Sequence, residues 1–162
     1  MKKWIYMLLW LITLFIFLWD WIESPRPFDD AEMVSRLTGA QAGDRIELEE
    51  LTPFSWEELY IFGPYLDPSS IDVRNMDEVP DAVQYLDSIT LLVFVQNNTA
   101  IRYIELSRSA GDFEMGSYER AIKQKSAVFI RNKDSRLWKL DDFREYLEKE
   151  DDHVLRQRKS FC

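Results

Sequence analysis

The sequence predicts an α+β chain: one N-terminal transmembrane helix, then an antiparallel sheet of about five or six strands with flanking helices. Three observations predict it. Trp4 to Trp19, WIYMLLWLITLFIFLW, contains no charged residue, glycine or proline. Ile89 to Val95, ITLLVFV, is nearly continuous in apolar and β-branched residues, the pattern of a central strand. The remaining elements read as helix, strands, hairpins and a terminal helix, with no run of βαβ units that would build a parallel sheet.

The first segment has the length of a bilayer crossing. As a helix, Trp4 to Ile22 extends roughly 28 Å, against a hydrocarbon core of about 30 Å. Its Leu, Ile and Phe side chains, among them Leu9, Ile12, Phe15 and Leu18, together favour insertion by roughly 3–6 kcal/mol. Trp4 and Tyr6 at one end, with Trp19 and Trp21 at the other, occupy the positions of two aromatic belts. Lys2 and Lys3 precede the segment, and Asp20, Glu23, Asp29 and Asp30 outnumber Arg26 after it, which orients the N-terminus inside. A cleaved signal peptide needs a shorter apolar region, about 7–15 residues, and a small-x-small site, whereas WDWIESP follows here. The expectation is a single-pass anchor in a bacterial inner membrane, with the membrane as partner and the remainder periplasmic. The divisions are 1–22 anchor, 23–28 Pro-containing spacer, 29–155 extracytoplasmic α+β domain and 156–162 frayed tail.

Within the domain, Asp30 caps a helix with Met33, Val34 and Leu37 on one face and Gly39 as its stop. Arg45 to Leu51 alternates as an edge strand. In FSWEELYIFGPY, an extended chain would place Phe54, Trp56, Tyr60 and Phe62 on one face and Leu59 and Ile61 on the other, marking an interior strand. Asp67-Pro68 starts a helix carrying Ile71, broken by Pro80. Asn97-Asn98-Thr99 turns ITLLVFV into a second strand, Ile101 to Leu106; it also fits a glycosylation sequon, but it separates two apolar runs as a hairpin turn does. Ser107 to Gly116 is a loop holding Phe113, and Ala127 to Ile130 pairs with Leu137 to Leu140. Asp142 and Glu145 form a capping box for a last helix with Phe143 and Leu147 inside. The expected core residues are Trp56, Tyr60, Phe62, Leu92, Phe94 and Phe143.

The net charge of −9 argues against nucleic acid as a partner. Lys2, Lys3 and Asp20 are the only charges in residues 1–22, so −10 falls on the remainder. One cysteine, Cys162, makes no internal disulfide, and for an exported domain this suits a bacterial envelope. The only histidine, His153, stands in an acidic run near the terminus, where neither a metal site nor a Cys-His couple is expected. Glu57 and Glu58 beside Trp56 and Tyr60 imitate a paired acid and base, but adjacent strand residues point to opposite faces. No catalytic, metal or cofactor-binding residues are expected. Lys123, Lys125, Arg131, Lys133 and Arg136 form the one basic cluster.

The segment Trp56 to Tyr65, WEELYIFGPY, resembles one found in small uncharacterised bacterial envelope proteins of lipoprotein or single-anchor type. The resemblance implies a compact α+β domain at the envelope and no activity; the lipid-attachment cysteine of the lipoprotein type is missing here. The expected function is a non-catalytic, membrane-anchored interaction module for a protein partner, either an accessory subunit or an immunity protein. A small envelope hydrolase and a small-ligand-binding domain are the alternatives.

Overall fold

Strand periodicity organises the chain around its most apolar run. The computed structural model describes residues 2–28, 31–114, 118, 120–133 and 137–141. In chain order its regular elements are α1 (Lys2–Glu23), β1 (Arg26–Pro27), α2 (Ala31–Gly39), β2 (Arg45–Glu47), β3 (Glu58–Phe62), β4 (Ile89–Gln96), β5 (Thr99–Ser107), β6 (Asp112–Phe113), β7 (Ile122–Lys123), β8 (Val128–Arg131) and β9 (Leu137–Leu140). The first sheet has the order β1-β5-β4-β3-β7 and the second β2-β8-β9-β6.

ITLLVFV lies in β4, with a strand on either side. Leu59 of β3 stands opposite Phe94, and Ile61 opposite Leu92. β5 returns through Asn97 and Asn98, both at positive φ (51° and 55°), the left-handed pair that a two-residue hairpin turn needs. Successive β4 side chains then alternate between two cores. Leu92 and Phe94 enter the layer between the sheets, with Trp56, Leu59, Ile61, Phe113, Phe129, Trp138 and the α2 residues Met33 and Leu37. Leu91, Val93 and Val95 point the other way, against Phe62, Val73, Met76, Val79 and Val83. That second face is covered by single 3-10 turns at Pro68–Ser70, Met76–Glu78 and Ala82–Gln84.

Several expectations are corrected. The chain is α+β, but it has two mixed sheets in place of one antiparallel sheet: β1 runs parallel to β5 and β6 parallel to β9. β6 lies inside the segment read as a loop, and β1 inside ESPRPF, where Pro27 is tolerated because β1 is an edge strand. The strand expected from Phe54 begins only at Glu58, because residues 53–57 bend. Trp56 therefore joins Leu59 and Ile61 in the inter-sheet core, while Tyr60 and Phe62 belong to the opposite face. The helix after Asp67-Pro68 is reduced to separate turns, interrupted at Asn75, which has φ 59°. A single turn gains too few hydrogen bonds to propagate.

The membrane expectation is also overturned. Among the described residues no helix is long and apolar enough to cross a membrane. A helix does run from Lys2 to Glu23. Its sequence includes Trp4, Tyr6, Trp10 and Thr13, whose polar groups lower its hydropathy. The single-pass anchor, the membrane as partner and the inner-membrane location are corrected with it. The expected terminal helix with Phe143 and Leu147, along with Arg136, His153 and Cys162, lies outside the described residues.

Candidate interaction face

The turn layer over β4 has two different sides. Inward it buries Val73, Met76, Val79 and Val83. Outward it exposes Asp67, Asp72, Asp77, Glu78, Asp81 and Asp87, with Arg74 as the only basic residue in the stretch 64–87. Among these acids stand Tyr65 and Tyr85, 69% and 71% exposed, and the exposed Leu86.

Local bonds hold this face in shape. Tyr65 has φ 68°, a left-handed conformation that costs a bulky residue roughly 1–2 kcal/mol. Its N–H donates to Val83 O (2.8 Å), so the Gly63–Leu66 turn is tied to the turn that carries Tyr85. Asp67 reinforces the tie: its Oδ1 accepts from Ser69 N (2.9 Å), Ser69 Oγ (2.8 Å) and Gln84 Nε2 (3.1 Å). Asp67 is thus a true cap, as its sequence position implies, on one turn of helix.

At the neighbouring end of the inter-sheet core lies a polar corner. Buried Asp112 pairs with Arg108, and its Oδ1 accepts from Tyr118 Oη (3.0 Å) and Phe113 N (3.0 Å). Arg108 also donates to Asp87 O (2.9 Å), and the hydrogen bond to Asp112 holds its pKa above the usual value. Burial, then the charge of Asp112, pushes the Tyr118 hydroxyl up to about 12. Tyr118 is consequently a neutral donor, poorly suited to act as a base. Its ring fills the space beside Gly63, where an added Cβ would sit 2.3 Å from a ring carbon.

The glutamates beside Trp56 are engaged separately. Glu57 Oε2 accepts from Asn97 N (3.0 Å), whereas Glu58 pairs with Lys123 and meets Tyr60 Oη at 3.5 Å. The hydrogen bond to Glu58 raises the pKa of Lys123; burial, followed by Glu58, raises that of Tyr60. The two carboxylates thus have different hydrogen-bond partners. Of the basic cluster, Arg131 is buried with its guanidinium 5.1 Å from the Trp138 ring, so the cations do not form one patch. Among the described residues no group of His, Cys, Asp or Glu is arranged to hold a metal ion.

Of the residues singled out from sequence, Trp56, Phe62, Leu92 and Phe94 are buried and Tyr60 is half-buried. Trp56 Nε1 donates to Thr52 Oγ1 (2.8 Å). Trp4, Tyr6, Ile12 and Phe15 are exposed on α1, and the side chains of Leu9, Leu18, Trp19 and Trp21 are outside the described set. Sequence reasoning missed the face around Tyr65 and Tyr85. The usable signal was the density of acids in 64–87 around aromatics that fit no strand or helix period. No protein-family model matches the chain, and comparison with curated proteins and with solved structures finds no match.

Proposed function

We propose that this protein is a non-catalytic interaction module, an accessory subunit or an immunity protein, that captures a basic protein partner. The observation that carries this reading is the exposure of Tyr65 and Tyr85 on tied turns within a stretch rich in exposed acids. Tyrosine supplies large contact area at low entropic cost, and hot spots are enriched in it. The acids add steering toward a cationic surface and reject acidic ones. The carboxylates that would serve hydrolysis are instead tied to Lys123, Arg108 or backbone amides.

The test places a photo-crosslinking amino acid at position 65 or 85 of the full chain in its native cells, then measures affinity for the crosslinked protein. Tyr65→Ala and Tyr85→Ala are expected to weaken that complex by about 30-fold each, the equivalent of about 2 kcal/mol. Its association rate is expected to fall as salt rises. Turnover of peptidoglycan, glycan or ester substrates that one carboxylate substitution abolishes, with no partner recovered, overturns the reading.

A further inference from the structure

The outer edge of β5 is covered at two places. β1 pairs with it at Arg102 and Tyr103, and the backbone of Arg74 bridges it at Thr99. Between these covers stands Ile101, which the change of register between Phe94 and Val95 leaves out of the β4 ladder as a β-bulge. Bulges bend a strand and re-aim its side chains. A cleft of about 320 Å³ opens here, lined by residues that include Ser24, Arg74, Gln96, Thr99, Ile101 and Arg102.

Charge sets this cleft apart. In a chain of net charge −9, its described lining carries two guanidinium groups and no carboxylate. Glu57, on the adjoining turn, is engaged with the Asn97 N–H. Both arginines are steadied by a backbone carbonyl: Arg74 Nη2 donates to Asn97 O (3.1 Å) and Arg102 Nη1 to Ile101 O (3.0 Å). Arg102 also lies over the Phe54 ring, 5.8 Å from its centroid. A guanidinium has five N–H donors in a fixed fork, so one backbone bond orients the group and leaves donors for a planar or tetrahedral oxyanion. The volume exceeds that of a lone anion and falls in the range of small-molecule sites, about 300–1,000 Å³.

We propose that this cleft binds a small molecule through a phosphate or carboxylate group held by Arg74 and Arg102, with Thr99 and Gln96 supplying further polar contacts. The proposal does not rest on the reading of the Tyr65–Tyr85 face. The test titrates the full chain calorimetrically at low ionic strength with inorganic phosphate and, separately, with citrate; chloride at matched ionic strength is the control. Saturable heat is expected with at least one oxyanion, and the one that binds identifies the group recognised. Arg74→Gln and Arg102→Gln are each expected to weaken binding by about tenfold, and Arg102→Lys to weaken it also, because an ammonium has no fork. If Arg102→Gln fails to fold, Arg74→Gln decides, because Arg74 is exposed. Absence of saturable binding to both probes, or undiminished binding by Arg74→Gln, overturns the proposal.

Discussion

The two faces of the sheet around β4 are packed in different ways. Between the sheets, aromatic rings meet edge to face: Phe28, Phe54 and Phe94 have centroids 5.0–6.3 Å apart, Trp56 lies 5.2 Å from Phe94, and Phe113 and Phe129 meet at 5.1 Å. On the opposite face the contacts are mainly aliphatic, and the cover consists of single turns. Regular strands constrain both sides of the first core. The second core needs only buried valines and a methionine as pegs, which frees the outer side of its cover to carry charge and tyrosine. The inter-sheet face is therefore expected to contribute more of the stability, and the turn-covered face to present a surface.

The contrast breaks first at Phe94. Phe94→Ala leaves a cavity where three rings converge and is expected to cost about 3–5 kcal/mol. Val93→Ala, one residue along and facing the turns, is expected to cost about 1.5–2.5 kcal/mol, because less surface is lost and the turns can settle. Chemical denaturation of both variants tests the comparison. Equal losses would mean that the turn layer is as tightly packed as the inter-sheet core.

Gly63→Ala comes next, expected to cost about 1–3 kcal/mol as the Tyr118 ring is pushed aside by the new Cβ. Loss of the characteristic Tyr118 titration in the same variant would locate the damage. Tyr118→Phe is milder, about 1 kcal/mol, through the lost hydrogen bond to Asp112. Its pH signature is specific. The folded-state pKa is raised from 10.0 to about 12, so this contribution is complete below pH 10 and is lost as pH rises through about 12. Stability measured across that window should fall less steeply in Tyr118→Phe than in the wild type, and the latest tyrosine absorbance change should disappear.

What was legible in the sequence follows from which constraints are local. The β4–β5 hairpin could be read because its apolar run and Asn-Asn turn are contiguous, and α2 because Met33 and Leu37 recur at helical spacing. β1 and β6 could not, since two residues carry no period and their pairing is set by distant partners. Simple alternation puts Trp56 on the wrong side because it does not hold through the bend at residues 53–57. The interaction face was illegible for a related reason: its acids look like an ordinary solvated loop until Tyr65 and Val83 are seen to be joined.

The smallest expected change in stability is also the most discriminating. Tyr65→Gly removes a bulky side chain from a left-handed conformation that glycine adopts freely. Relief of that strain opposes the entropy glycine adds to the unfolded chain, so the net effect on stability should lie within about 1 kcal/mol and can be favourable. The Tyr65 N–H bond to Val83 O uses only backbone and remains available, so the turns stay tied. If the tyrosine is there for contact, the variant should melt at or slightly above the wild-type temperature and still bind the crosslinked partner about 30-fold more weakly. A marked fall in melting temperature would instead show that the Tyr65 ring supports the turn layer, and the exposed face would lose its claim to be a surface kept for binding.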